Sequence, residues 1–537
     1  MRKTRGTLAL WMGILAVLTL VLVLFDSPYR PVVGPCRRAE EVWAIEDERQ
    51  KSEKPLVTAL EMDGTPLVYE AETNTFYCSL GLEQGENWPK IHLTAPESKK
   101  ISLFFTDDYT YDVCSEAIQK GRAYQVMAYS EDEYDHFSIV FTGLPLLSLT
   151  TEVDITGLDT DAQVTISAFG QEAVRSAAMT HYRGGQSMYS EKPGYKIVYR
   201  RRAGKHKKAV WETPGLGLVS KMILLPIQDD LLRDRLSWSV YADIVPETEP
   251  FGARRTAYTE VFVNGEYKGV YLMMNPYDEA EELEKAGKEH PASDSVYRTN
   301  VPMFVESVIT VKDPVAPDTL YEMYYTRAVK MPFMPLQGYL ELIAEEDDEA
   351  FLEKASKRLD RKSLLRMELM IQAAGLTDNV FSNLYIWAEW KPDGYVYHFA
   401  PWDMDQSWGL KWEDIGPGYE NWLYFYAADR LLRTDASART ALADLWDRYK
   451  ETAFNPEQIA ARVEAYTREL EDSGAAVRNA ARWGTHDTQT DGSSIAEYMS
   501  VRFHLLDDAM QRLRKEDGGK SAFLRHDIAE GKGSPIN

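Results

Sequence analysis

The sequence predicts an α+β protein built in sections: an apolar N-terminal span, a small β-sandwich-like module, a mixed core and a closing set of helices. Three observations carry this reading. Residues 7–25 form a near-continuous apolar run. Short β-branched and aromatic runs, broken by polar turns, dominate 56–144. From 145 to about 430 strand-like alternation mixes with helical periodicity, and 431–515 is mostly helical in period. At 537 residues there is room for two or three domains. The formal charge of −24 argues against a general nucleic-acid binder, which needs a basic face.

The first element has the length of a membrane span. Arg2, Lys3 and Arg5 precede it and favour a cytoplasmic stretch 1–6, although Arg30, Arg37 and Arg38 follow it. No small-x-small cleavage pattern follows Phe25, so 7–25 reads as an uncleaved signal anchor, single-pass, with the body extracytoplasmic. A long cleaved signal peptide is the alternative. Residues 26–55 read as a charged tether with a short surface helix, and 56–144 as a β-rich module without evident chemistry. Cys78 and Cys114 fall in that module and can pair in an oxidising compartment, whereas Cys36 lies just past the span. The tail 516–537 is Gly-rich, charged and expected to be flexible.

Within the core, 229–244 has apolar residues at helical spacing: Leu231, Leu232, Leu236, Val240 and Ile244. Arg233 on it reads as a surface arginine. Asn264-Gly265 between alternating strands is a strong two-residue hairpin signal. Residues 347–374 read as helix. Asn455-Pro456 reads as a helix N-cap with proline at the first position, and Ser494 as another cap.

The chemistry concentrates around 376–409. Asp378 and Asn383 form a D-x-x-x-x-N pair. A strand-like run follows at 384–390, then the turn Lys391-Pro392-Asp393-Gly394, then a return strand at 395–400. An antiparallel hairpin ends beside its start, so Asp403 and Asp405 should land near Asp378 and Asn383. Oxygen ligands gathered this way suit Mg²⁺, and protein kinases use this order of base, metal-binding Asn, hairpin and metal-binding Asp. The bland alternative is that Asp and Asn cap the preceding helix and turns. Upstream, Arg183-Gly184-Gly185-Gln186-Ser187 is a candidate phosphate cradle or a plain turn. Lys196 shares a strand face with Val198 and either faces a cleft or is simply exposed.

Five blocks in order resemble the CotH kinase family, named for a spore-coat protein. They are Arg183-Gly184 with Ser187; the Lys-Pro-x-Tyr-Lys strand ending at Lys196; Leu231-Leu232-Arg233-Asp234; the Asn264-Gly265 hairpin; and Asp378 and Asn383 with Pro401-Trp402-Asp403-Met404-Asp405. The resemblance covers roughly 145–425 and implies an atypical protein-kinase-like fold for 145–430, continued by the helices of 431–515. It implies transfer of the ATP γ-phosphate to Ser/Thr hydroxyls of surface or coat proteins with Mg²⁺ or Mn²⁺. Asp378 would then be the catalytic base, Asn383, Asp403 and Asp405 the metal ligands, and Arg183, Ser187 and Lys196 the nucleotide contacts. The chain lacks H-R-D and D-F-G, and Asn275 stands where the family hairpin commonly ends in an acid, which would pair with the nucleotide lysine Lys196 or a metal; Asp278 and Glu279 follow closely and could compensate. A rival reading therefore stays open: a cell-surface or coat assembly protein that keeps the shape without turnover.

Overall fold

The computed structural model describes residues 33–524, apart from 35, 63–64, 81–92, 96–99, 107–122, 185–186, 205–206, 228–229, 288–293, 300–320, 327–332, 344–346, 381, 411–420, 485–489, 517–520 and 522–523. The predicted span 7–25, Cys114, Gly185, Gln186 and 525–537 lie outside the described residues. Among the described residues no helix is long and apolar enough to cross a membrane.

Among the described residues the N-terminal module holds a mixed seven-stranded sheet and a small three-stranded one, Thr65–Pro66, Glu61–Met62 and Leu93–Thr94, rather than two matched sheets. Helix Ala39–Glu48 covers one face, with Val42 and Ile45 on Phe104 and Met127. Val57, Leu60 and Met62 pack on the other. Two short strands lie within 26–55, the stretch read as a tether. Val33–Gly34 pairs with Leu103-Phe104, and Gln50–Lys51 pairs with Glu133-Tyr134. Two-residue strands carry no period, which is why alternation did not reveal them.

The core begins with a closed barrel of seven strands: Leu146–Thr151, Thr160–Ser167, Val174–Arg183, Gly194–Arg200, Lys221–Leu225, Glu266–Met274 and Thr256–Val263 in spatial order. The first and last of these pair in parallel and close the ring; the other neighbours are antiparallel. Alternation decides what faces inward. On Gly194–Arg200, Tyr195, Ile197 and Tyr199 are buried in the barrel interior, while Lys196 and Val198 lie on the opposite face. Asn264 and Gly265 both take positive φ, +51° and +79°, as the two-residue hairpin turn requires. The Asn264 amide oxygen accepts the Thr151 N–H at 2.8 Å and ties this turn to the first strand.

A second sheet, in the order Tyr321–Thr326, Ser295–Thr299, Leu384–Lys391, Gly394–Pro401, packs on the helical part. The helix expected at 347–374 is two helices, Asp348–Arg358 and Arg361–Ala374. Asp360 breaks them apart by accepting the Ser363 N–H at 2.8 Å as an N-cap. Arg233–Ile244 forms as expected but starts later than 229. Asn455 caps Pro456–Asp472 through the Gln458 N–H at 3.0 Å. Ser494 is not a cap: Asp491 accepts the Ser493 N–H in helix Ser493–Lys515, and the Ser494 hydroxyl receives Arg233.

A line of buried polar contacts joins the three parts. Glu70 of the module accepts the Tyr77 hydroxyl and the Tyr267 N–H. The Tyr267 hydroxyl donates to Glu260 at 2.7 Å, and Arg478, on helix Ala475–Trp483, grips both Glu260 oxygens at 2.8 Å. Burial alone would raise the Glu260 carboxyl; the Arg478 charge and its hydrogen bonds reverse this and hold it below the ordinary range. A depressed carboxyl contributes stability above its unfolded pKa and loses it as pH falls through the folded value. Replacing Arg478 by Met strands a buried charge. We expect a loss of about 3–5 kcal/mol near neutral pH, shrinking as Glu260 protonates in acid, measured by urea unfolding at the two pH values.

Candidate active site

Helix Arg361–Ala374 ends at Gly375, which takes φ +68°. A Cβ there would meet the Tyr498 hydroxyl at 2.5 Å, so glycine is required both for conformation and for space. The chain then wraps into a tight loop. Ser382 donates to Asp378 twice, from its N–H to the Asp378 carbonyl at 2.9 Å and from its hydroxyl to Oδ1 at 3.1 Å. The Asn383 amide nitrogen donates to Asp378 Oδ2. That contact turns the Asn383 amide oxygen the other way. Asn383 itself is in the left-handed region, φ +51°, which Asn tolerates better than most residues.

The hairpin then does what its sequence implies. Leu384 pairs with Pro401 and Lys391 with Gly394. At its base the Trp402 N–H donates to the Asn383 carbonyl at 2.9 Å. The buried Asn379 amide bridges the Asn383 and Trp402 carbonyls at 2.9 and 2.7 Å. Asp403 follows at φ +51°. The two ends carrying Asp378, Asn383, Asp403 and Asp405 are thus held together by backbone contacts.

Asp234 joins them. It is 3 % exposed, on the first turn of Arg233–Ile244, and accepts the Met404 N–H at 3.3 Å. Burial and then the Asp403 charge raise its carboxyl to about 7, against smaller lowering effects from Met404 and Arg183. Asp378 is raised by burial and by Asp403, with Ser382 and Asn383 opposing. Asp405 is exposed at its surface, yet desolvation by the surrounding protein, followed by the charges of Asp403, Asp234 and Asp378, lifts it well above the usual range. Four carboxylates therefore feel one another. Asp234 stands in the Leu231-Leu232-Arg233-Asp234 block, where the sequence alone assigns it no role. The signal was an acid three residues after Leu231, on the apolar face of its helix.

Arg233 is no surface arginine. It is 5 % exposed; its guanidinium bonds Asp230, the Ser407 carbonyl at 3.0 Å, the Trp408 carbonyl at 3.4 Å and the Ser494 hydroxyl at 2.7 Å. It clamps the segment after Asp405 between two helices.

The upstream residues divide. Arg183 reaches the carboxylates: its guanidinium lies 5.8 Å from the Trp402 ring centre and its charge lowers Asp234. Ser187 turns back, its hydroxyl 3.5 Å from the Arg183 carbonyl. Lys196 sits beside Lys221 and Glu279 instead of the carboxylate group; burial and then Lys221 lower its pKa. Asn275 is not a missing partner for Lys196. It accepts the Arg255 N–H at 2.8 Å and donates to Glu247 at 3.4 Å, and Glu279 is an acid that Lys196 feels.

The donors suit Mg²⁺ or Mn²⁺, being carboxylate and amide oxygens with an excess of negative charge. Among the described residues no three His, Cys, Asp or Glu side chains are gathered closely enough to hold a metal alone.

A family model described as CotH kinase protein matches residues 180–506. The chain belongs to this family. The CotH match starts at the end of strand Val174–Arg183 and stops within helix Ser493–Lys515, so it contains Arg183 and all four carboxylates. The N-terminal sheet and the first two barrel strands precede it. No curated protein matches the chain.

Raised carboxyls fix a sign. Asp234, ordinarily near 3.9, binds its proton more tightly folded than unfolded, so stability falls as pH rises from there toward its folded value of about 7. The metal-free protein should melt lower at about pH 8 than at about pH 5.5, and Mg²⁺ or Mn²⁺ should raise the melting temperature more at the higher pH. Asp234→Asn should raise the metal-free melting temperature at the higher pH and shrink the metal effect, as read by thermal unfolding.

Proposed function

We propose that this protein is a metal-dependent phosphotransferase that moves the ATP γ-phosphate to Ser/Thr hydroxyls of surface or coat proteins. The observation that supports it most is the convergence of Asp378, Asn383 and Asp403 at the base of one hairpin, with Asp405 and Asp234 beside them. Asp378, oriented by Ser382 and Asn383, accepts the proton of the acceptor hydroxyl. The acceptor oxygen bonds the γ-phosphorus, and the bond to the β-phosphate oxygen breaks with its electron pair leaving on ADP. Bound Mg²⁺ or Mn²⁺ would neutralise charge developing on the phosphates, held by Asp403, Asp405 and the Asn383 amide oxygen. Arg183 approaches from the barrel side to pair with phosphate, and Lys196 with neighbouring Lys221 forms a second cationic flank for the nucleotide. Ser187, in the same loop as Arg183, is the third expected nucleotide contact.

Incubation of the purified chain with γ-labelled ATP and Mn²⁺ should label a surface protein or the chain itself. Asp378→Asn and Asp403→Ala should each lower transfer by at least about a hundredfold while the protein stays folded. Undiminished transfer in both variants refutes the site. ATP binding with no transfer in the wild type supports the rival, an assembly protein without turnover.

We further propose that 7–25 anchors the chain in the membrane with the body outside. Its apolar length and the cations Arg2, Lys3 and Arg5 support this. Protease added to intact cells should digest the N-terminal module. Full protection until the membrane is opened would make a cytoplasmic kinase the better reading.

A further inference from the structure

Strands Val174–Arg183 and Gly194–Arg200 lie side by side in the barrel, and alternation sends every second residue outward. The outward residues pair across the two strands as a short ladder. Arg183 stands opposite Gly194, His181 opposite Lys196, and Met179 opposite Val198. On the next strand the same face carries Lys221, Ile223 and Leu225, and the last two belong to the core under the helices. The ladder therefore flanks the place where the barrel meets the helical part. Arg183 marks the end nearest the carboxylates, since its charge lowers Asp234.

His181 is held in a fixed orientation. Its Nδ1 lies 2.7 Å from Asp159 Oδ1, in the turn just before strand Thr160–Ser167. Its other nitrogen, Nε2, makes no hydrogen bond among the described residues. Lys196, directly across, is half-buried and makes no ion pair among the described residues. It feels the charges of Asp159 and Arg183 as well as those of Lys221 and Glu279. A half-buried ammonium beside an imidazole with an open nitrogen suits an anion.

Spacing decides which anion. Two residues along a strand cover about 7 Å, more than one step of a phosphate chain. Arg183 and the His181–Lys196 pair can therefore meet different phosphates of one nucleotide. Beyond the pair, Met179 and Val198 are apolar, so the polar track ends there and the nucleoside lies on that side.

We infer that His181 and Lys196 form the subsite for the phosphates that stay with the nucleoside, while Arg183 meets the terminal phosphate. The doubly protonated imidazole donates from Nε2 to a phosphate oxygen and from Nδ1 to Asp159. Asp159 is a positioning residue, because it touches the ring and not the ligand. The inference rests on the phosphotransferase reading for its nucleotide, but binding alone measures it.

The experiment titrates the full chain with ADP and with a non-transferable ATP analogue, each with Mg²⁺, by calorimetry. Lys196→Met should weaken both ligands by at least about tenfold. His181→Ala should weaken both by the same factor, about five- to tenfold, and His181→Arg should recover most of the loss. Arg183→Met should weaken the analogue more than ADP. Asp159→Ala should weaken both ligands about threefold alone and cost nothing further in the His181→Ala background. Thermal unfolding checks that each variant stays folded. Unchanged ADP affinity in His181→Ala overturns the subsite, as does a loss confined to the analogue. A full further loss from Asp159→Ala in that background overturns the positioning role. A chain that binds neither nucleotide refutes the phosphotransferase and the subsite together. ADP binding that depends on His181, with no transfer to any protein, supports the subsite and counts only against the enzyme.

Discussion

Mutual repulsion among Asp234, Asp378, Asp403 and Asp405 is the constraint around which the rest of the core is arranged. A group of like charges brought close together is costly unless something of opposite sign enters or protons are taken up. Nothing local in these four side chains holds them together. The assembly is imposed from outside, by the pairing of two strands and the packing of two helices. The fold is therefore a device for keeping carboxylates where they would not choose to be.

Three contacts supply most of that hold. Asn379 staples the two ends of the hairpin through both carbonyls. Arg233 fixes the chain after Asp405 and reaches helix Ser493–Lys515. Ser237 accepts the Trp408 indole N–H at 2.9 Å and lies 3.1 Å from the Ser407 hydroxyl. Each is buried and polar, and each has at least one partner distant in sequence. Removing any of them costs both a hydrogen bond and the alignment of the acidic loop.

The hairpins were legible because their signals are local. Asn264-Gly265 and Pro392-Asp393-Gly394 name their own turns, and a hairpin returns by geometry, so the meeting of Asp378 with Asp403 followed. The cap at Asn455 was equally local. What escaped was set by tertiary packing. Arg233 and Asp234 look like ordinary charged helix residues, since nothing in a single helix says that both will be buried against a distant loop. The break at Asp360 was hidden by helical period on both sides of it. The strands at 33–34 and 50–51 are too short to alternate. Glu279, by contrast, was legible from its place just after Asn275, and its charge is felt by Lys196.

The barrel's closure has a consequence for how the chain is made. Its first strand is sealed by a parallel partner, and Thr151 meets Asn264 113 residues downstream. Ring closure must therefore wait until more than a hundred further residues have emerged, and long-range pairing of this kind is intrinsically slow. The module's sheet is complete by Thr142, immediately upstream. During synthesis Leu146–Thr151 leaves the ribosome attached to a finished neighbour; Thr160–Ser167 soon covers one edge, and the other stays open. The early sheet, through Val68, Tyr77 and Val140, carries the apolar surface that later receives Leu146, Phe262 and Tyr267. It acts in effect as an internal template, shielding the first strand until the chain returns to seal it.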